Sequence, residues 1–475
     1  MGPEVSFLKR VRRIEPRNFT VGLLLGCFVV AFAYFFTTKF DSFHFYVVNS
    51  ASTKIVATPS GDMLPTMVSS DQVGITTKPK LKKENRKQVP LCDLSQKRID
   101  QCEIEGDVRI IGRNGTIVWV PSPESGDGPD YERKVWHIKP YPRKEDKLAM
   151  DQVRMVTVKP MDIDEAPACT NYSDVPVIVF SDSGYSGNYF HDYTDVLVPL
   201  FTTARRFQGE VLFHVTDLKI YWIGKFLPVF KNLTKYDLIN FDCDEEVRCY
   251  KKVYIGLTAH DAFDIDPERI PEKYTLEDFT RFMRTAYDLK RDTAEIPIQR
   301  TLKRKPRLLI FARAKTRRFL NLDDIVHEAE RLGFEVMATE ATYRLDRVSL
   351  DVNSCDVIMG VHGAGLSNMV FLPVNAVFIQ ILPWGDLEWV GNYFRRPVEK
   401  MKLKYLQYFV SPEESSLIDE YPRNHTIFTD PQSVHRKGWD AINEIFLQKQ
   451  SVRLNITRFR PTLEEALKHL NSEVP

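Results

Sequence analysis

Residues 356–373 constrain the fold more than any other stretch of this chain. The run Asp356-Val357-Ile358-Met359-Gly360-Val361 is short and apolar, and it ends in His362-Gly363-Ala364-Gly365 before a second apolar segment, Leu366 to Leu372. A continuous apolar run of this length reads as a strand buried on both faces, as in a parallel sheet. The two glycines let the backbone approach a ligand closely, and the segment after them can begin a helix whose free N–H groups attract a phosphate. His362 then stands at the carboxyl end of the strand, where open α/β sheets bind ligands.

The same strand–helix alternation recurs along the chain. Val177–Phe180 predicts a strand, Phe190 to Phe201 a helix, Val211–Val215 a strand, Tyr221 to Phe230 a helical run interrupted near Pro228, and Asp237–Phe241 a strand. The basic segment Lys290 to Arg307, with Pro297 and Pro306, reads as a linker. Beyond it come a strand at Leu308–Phe311, a helix over Leu322–Leu332 capped by Asn321 and stopped by Gly333, and strands at Phe334–Ala338, Val357–Met359 and Ala376–Leu382. Alternating units on both sides of a linker predict an α/β chain of two facing Rossmann-like domains, residues 90–300 and 301–475, with the ligand in the cleft between them. Within 91–160, runs such as Asp107–Ile111 and Thr116–Val120 predict an accessory sheet.

The N-terminus points to a membrane. Residues 19–38 carry no charge and are long enough to span a hydrocarbon core, and Lys9, Arg10, Arg12, Arg13 and Arg17 precede them. The positive-inside rule then leaves 1–18 as a cytosolic tail, makes 19–38 a transmembrane signal anchor, and sends the rest across as a single-pass type II protein. A cleaved signal peptide fits less well, because the span is long for one and Tyr34, Phe35 and Phe36 occupy its exit. Residues 39–89 lack a sustained period and read as a stem. A formal net charge of +1 over 475 residues argues against a nucleic-acid footprint.

Two further signals fit a secretory lumen. Sequons stand at Asn114, Asn171, Asn232, Asn424 and Asn455, each a candidate N-glycan site. Outside the anchor there are six cysteines, an even set; Cys92–Cys102 and Cys243–Cys249 are the simplest pairs, and Cys355 is equally readable as a core thiol.

Three groups of residues can carry chemistry. In Gly187-Asn188-Tyr189-Phe190-His191-Asp192-Tyr193-Thr194-Asp195, the residues Asn188, His191 and Asp195 share one helical face, and a His one turn from a carboxylate is a base–orienter pair suited to abstracting a hydroxyl proton. The competing reading is a helix start stabilised by Asp192 and Asp195, with His191 a satisfied buried residue. In Arg313-Ala314-Lys315-Thr316-Arg317-Arg318, arginine forks stand at a strand's carboxyl end in the same domain as His362, which favours phosphate recognition over a solvated loop. Asp242-Cys243-Asp244 resembles a metal-holding Asp-x-Asp, but it follows a strand of the first domain, and the cations of the second can neutralise a leaving diphosphate; no metal site is assigned. Trp384 and Trp389 can stack on sugar faces, although core packing explains either one alone. Together these residues describe a luminal enzyme with a phosphate-binding C-terminal domain and a base in the N-terminal domain, the division expected of a nucleotide-sugar glycosyltransferase.

The markers Gly187-Asn188-x-x-His191-x-x-x-Asp195, Arg313-x-x-x-Arg317-x-x-x-Asn321 and Val361-His362-Gly363-Ala364-Gly365-Leu366 together resemble glycosyltransferase family 61, and its plant xylan arabinosyl- and xylosyltransferases in particular. Val352-Asn353-Ser354-Cys355-Asp356 and Leu382-Pro383-Trp384-Gly385-Asp386-Leu387-Glu388-Trp389 strengthen the plant likeness. The resemblance implies a GT-B fold, inversion at the anomeric carbon and a Golgi location. It implies a UDP-xylose or UDP-arabinose donor, a xylan-type cell-wall acceptor, and no required metal. Either Asp195 or His191 is then the base, with Asn188 beside them. Arg313, Arg317, Asn321, His362, Gly363 and Gly365 bind the donor. Ser181-Asp182-Ser183-Gly184 replaces the Ser-Thr-Gly-Gly common in plant relatives, and Gln380 stands where animal relatives tend to carry Glu, so it takes no role from them. The alternatives are N-acetylglucosaminyl transfer to a protein or glycan, and a catalytically silent glycan-binding Golgi protein.

Overall fold

A computed structural model describes residues 92–121, 134–294 and 304–471. The tail, the anchor 19–38, the stem and the middle of the predicted linker lie outside the described residues. Among the described residues no helix is long and apolar enough to cross a membrane.

Two sheets organise the structure. The smaller is five-stranded and wholly parallel, in the order Glu335–Thr339, Arg307–Phe311, Val357–Val361, Val377–Leu382, Lys404–Phe409. Val357–Val361 is its central strand and every residue of it is buried, the environment that its unbroken apolar sequence requires. The larger sheet has ten strands. At its centre Val177–Ser181 pairs in parallel with Leu212–Thr216 on one side and Val247–Ile255 on the other. Helix Tyr189–Ala204, widened by a π-helical turn over Asp192–Leu197, links the sheets: Tyr193 packs on Phe371 and Phe190 on Phe394. The resulting core is continuous, running from Phe180 and Phe213 of one sheet to Leu309 and Ile358 of the other.

Several expectations change. The β-rich segment 91–160 is not a separate accessory sheet, because Gln101–Ile111 pairs antiparallel with Val247–Ile255 and extends the larger sheet. That partner strand escaped the sequence reading because Arg248, Lys251 and Lys252 interrupt its apolar pattern; Lys252 is neutralised by Glu103 and Glu105 on the neighbouring strand. The helical break falls at Phe226 rather than Pro228, which sits in the first turn of Leu227–Leu233, where its missing N–H costs nothing. The strand predicted over Asp237–Phe241 contracts to Ile239–Asn240, as the Asn240 side chain accepts from the Asp242 N–H and starts a 3₁₀ turn. Asn321 holds the N-cap position, its carbonyl accepting from the Ile325 N–H (3.3 Å), but its side chain does not bond the helix; its amide exchanges hydrogen bonds with the Leu454 N–H (3.0 Å) and C=O (2.9 Å), fastening the C-terminal segment. Among the cysteines, Cys92–Cys102 forms as expected, but Cys249 bonds Cys169 rather than Cys243, which is exposed and free, and Cys355 is a buried free thiol.

Candidate active site

Chain order in the smaller sheet reverses between Arg307–Phe311 and Val357–Val361, and ligands of such sheets bind beyond the carboxyl ends of the strands at that reversal. Arg313 and Arg317 follow the first strand, and His362-Gly363 follow the second. Arg313 donates to the Thr316 carbonyl (2.9 Å) and hydroxyl (3.1 Å), and Arg317 Nη1 donates to the His362 carbonyl (2.7 Å). A Cβ on Gly363 would sit 2.7 Å from Arg313 Nη1 and 3.2 Å from Arg317 Nη1. Glycine lets both guanidinium groups close on this turn, and a side chain there would have to push Arg313 aside; its φ of 163° is ordinary extended backbone. Gly365 is confined similarly, a Cβ meeting that of Ala341 at 3.0 Å.

Among the described residues neither guanidinium makes an ion pair with a carboxylate, and the buried Nε of Arg317 has no partner. Burial and the charge of Arg313 push the Arg317 guanidinium down to about 9, and burial lowers Arg313 against the opposing charge of Glu340. Two adjacent cations at a cost of this kind form a built-in anion site.

His362 completes it. Burial and the two arginines push its imidazole down to about 3, so it is neutral. Gln380 Nε2 lies 2.6 Å from His362 Nδ1 and Gln380 Oε1 lies 2.6 Å from Tyr405 Oη, an arrangement in which the amide donates to Nδ1 and the phenol donates to the amide oxygen. With Nδ1 accepting, the proton resides on Nε2, and His362 offers an N–H donor. The N–H groups after Gly363 lead into a 3₁₀ segment, Ala364–Phe371, rather than the α-helix start that the sequence suggested.

The second cluster lies on helix Tyr189–Ala204. Gly184, at φ +57°, lets the loop after Val177–Ser181 pass so close to Tyr141 that a Cβ would stand 2.4 Å from its ring. The loop ends at Asn188, whose side chain accepts from the Phe190 N–H at 3.0 Å. Asn188 is thus an exposed helix cap and does not join the His191–Asp195 pair, because capping turns its amide back on its own backbone. His191 Nδ1 lies 2.8 Å from Asp195 Oδ2. Asp195 is fully buried and also receives Arg98 (3.0 Å), Arg143 (2.9 Å) and Tyr141 (3.0 Å). Burial alone would raise its carboxyl, but the His191 hydrogen bond and the charges of Arg143, His191 and Arg98 outweigh it and hold it below the usual range. An anion so fully engaged cannot reach a substrate. With Nδ1 protonated toward Asp195, Nε2 is free to accept a proton, and Arg143 Nη2, 3.0 Å from the same Nδ1, is then a charged neighbour and not its hydrogen-bond donor.

Arg98, Tyr141 and Arg143 carry no motif, and only the chain path delivers them: the Ser181 N–H bonds the Pro140 carbonyl at 3.0 Å, laying this segment along the strand end. Asp242 and Asp244 form ion pairs with Arg154 and Arg248 respectively. Asp107, Cys169 and Cys249 cluster, but both thiols are spent in a disulfide. Trp384 is tied into the core, its Nε1 donating to the Ile427 carbonyl, whereas Trp389 is exposed.

The sequence profile described as Glycosyltransferase 61 matches residues 189–379, a span holding His191, Asp195, Arg313, Arg317, His362 and Gly363 but not Arg98, Tyr141 or Arg143. The chain is 50% identical over 385 residues to the "Alpha-1,3-arabinosyltransferase XAT3" of Oryza sativa subsp. japonica, covering 80% of this chain and 66% of that protein, so it spans just under two thirds of that relative's length. It is 42% identical to the "Beta-1,2-xylosyltransferase XYXT1" of the same organism, covering 79% of this chain and 83% of that one. The "EGF domain-specific O-linked N-acetylglucosamine transferase" of Mus musculus is 27% identical over 41% of this chain and 38% of its own length.

Proposed function

The chain belongs to glycosyltransferase family 61, and from that premise we propose that it is an inverting enzyme moving a pentose, xylose or arabinose, from a UDP-sugar to a xylan-type cell-wall polysaccharide. The observation that carries the reading is the pair of unneutralised guanidinium groups, Arg313 and Arg317, converging on Gly363 beside a neutral His362. This is a cradle for a diphosphate leaving group, and the two sheets supply the two halves of a GT-B arrangement. In it, Arg313, Arg317, the N–H groups after Gly363 and the His362 Nε2–H take the negative charge that develops as the bond to the anomeric carbon breaks. His191 Nε2 takes the proton of the attacking acceptor hydroxyl, and Asp195 acts through His191 as its positioning residue. The arginines make a divalent cation unnecessary for charge neutralisation.

The same reading places the protein in the Golgi membrane by the 19–38 anchor, with the catalytic part luminal. Asn114, Asn232, Asn424 and Asn455 are exposed and Asn171 half-buried, as glycan acceptors on a luminal surface would be. The test is incubation of the full-length chain with xylo-oligosaccharide and, separately, UDP-xylose, UDP-arabinose in both ring forms, and UDP-N-acetylglucosamine, with a chelator present. Product with one pentose donor fixes the reaction. Product with UDP-N-acetylglucosamine alone, or with none of the donors even after Mn²⁺ addition, rejects it.

A further inference from the structure

A cavity of about 740 Å³ opens beside Arg98 and Arg143, the two arginines that hold Asp195. Arg98, Arg143 and Asp261 line one wall, and Trp389, Tyr393 and Arg396, from helix Glu388–Lys400, line the other. Along that helix Val390, Phe394 and Val398 are buried in the core, and the i, i+4 pair Trp389 and Tyr393, about 100° round the helix from Val390 and Phe394, lies on its partly open flank. Trp389 is 41% exposed and Tyr393 43%. Trp439, 52% exposed, stands 6.2 Å from Trp389. The Trp389 and Tyr393 rings meet at 68° and the two tryptophans at 70°, so none stacks flat on another. Large aromatics gathered in the open mark a binding surface rather than a core.

The charged lining of the cavity is mixed in sign, and the charges of Arg98 and Arg143 are already engaged by Asp195. Its field therefore selects no ionic ligand. Aromatic faces among dispersed polar groups instead match a sugar chain, whose rings present apolar C–H faces and an edge of hydroxyls. Two contacts tie this cavity to the chemistry. Arg143 lines it and also lies 3.0 Å from His191 Nδ1, and Phe190 packs against both His191 and Tyr393.

We infer that this cavity is the acceptor site, in which a xylan-type chain lies across Trp389 and Tyr393 with one hydroxyl directed to His191. The inference rests on the pentosyl-transfer reading and adds to it where the acceptor binds and which residues set its length dependence. Each ring contacts one sugar, so the benefit of a longer acceptor accrues through Trp389 and Tyr393, while the donor cradle at Gly363 is independent of both.

Calorimetry of xylohexaose and of UDP, each binding to the full-length protein, tests this without requiring turnover. Trp389→Ala and Tyr393→Ala each weaken xylohexaose binding about tenfold, equivalent to about 1.4 kcal/mol. Both leave UDP affinity and the unfolding temperature unchanged, and Trp389→Phe recovers most of the loss. In the transfer assay the two alanine variants raise KM for xylohexaose more than for xylobiose. Unchanged xylohexaose affinity in both alanine variants, or no xylohexaose binding by the unaltered protein, overturns the inference. Failure of the unaltered protein to transfer any pentose, with xylohexaose binding still lost in the variants, overturns the transfer reading and leaves the cavity a xylan site.

Discussion

His191 and Asp195 are joined by a 2.8 Å contact in which only the imidazole faces outward, since the carboxylate is fully buried among Arg98, Arg143 and Tyr141. Their roles separate accordingly. His191→Ala lowers kcat by about 10²–10⁴ while leaving donor KM nearly unchanged, as expected for loss of a general base. Asp195→Asn lowers kcat too, and also strips the counter-charge from two buried-side arginines, costing roughly 3–5 kcal/mol of stability. Because the folded carboxyl titrates below its ordinary 3.8, that stability is present above about pH 4 and lost as pH falls further. Steady-state kinetics paired with thermal unfolding distinguish the two; full turnover in His191→Ala removes it from the chemistry.

Gly363→Ala places a methyl 2.7 Å from Arg313 Nη1 and must displace the guanidinium. UDP affinity falls by about tenfold or more, a loss of about 1.4 kcal/mol or more, while the acceptor affinity is kept. Arg313→Ala lowers turnover on every acceptor without unfolding the protein. Calorimetric titration with UDP is the check, and undiminished affinity in both variants excludes this turn from the donor site.

Gln380 fixes which nitrogen of His362 carries the proton. In the unaltered protein the imidazole is neutral with Nε2–H down to about pH 3, because burial and two arginines oppose protonation. Gln380→Glu replaces the donor at Nδ1 with an acceptor, moves the proton to Nδ1 and raises the imidazole's titration point. UDP affinity then gains a pH dependence beyond that of the nucleotide's own terminal phosphate, which titrates at about pH 6. Nitrogen-15 NMR of the imidazole, with UDP titrations from pH 5 to 8, reads both; an unchanged tautomer refutes the assignment.

Asp182 is fully buried at the end of Val177–Ser181, with Oδ2 accepting from the Lys219 N–H and Oδ1 unpartnered. Burial pushes its carboxyl up to about 8. The folded state therefore holds a proton that the unfolded state releases near 4, so this residue's contribution to stability declines as pH rises from about 4 to 8. Asp182→Asn raises the unfolding temperature at pH 7.5 and flattens its fall over that interval, while having little effect at pH 4. Scanning calorimetry across the range decides it.

Cys169 and Cys249 close a loop over a sequence separation of 80. Cys169→Ser costs on the order of 4 kcal/mol by loop-closure entropy. Maleimide labels Cys243 in the native protein and Cys355 only after denaturation, as mass spectrometry of digests would report.

The sequence exposed those parts of the fold in which burial and pattern coincide. Val357–Val361 is apolar because both faces are covered, and the turn after it is glycine-bearing because Arg313 and Arg317 crowd Gly363. The His191–Asp195 pair was legible as a four-residue spacing. What sets its chemistry was not, since Arg98, Tyr141 and Arg143 arrive from a distant segment with no periodic signature. Gln380 stood out in the sequence without a role for a related reason: a lone amide inside an apolar strand has meaning only once Tyr405 and His362 stand on either side of it. Asn188 and Asn321 misled because capping and cross-chain hydrogen bonds use the same side chain that a ligand would.

Two guanidinium groups left without a carboxylate also bear on flux. The free nucleotide left after transfer presents the same diphosphate as the donor and carries more negative charge, so the cradle at Gly363 grips the spent product at least as firmly as the fresh substrate. Turnover in a closed compartment would then stall as UDP accumulates. The enzyme's output becomes coupled to whatever activity clears nucleoside diphosphate from its surroundings, a dependence written into the protein by two guanidinium groups held close together without a direct carboxylate partner.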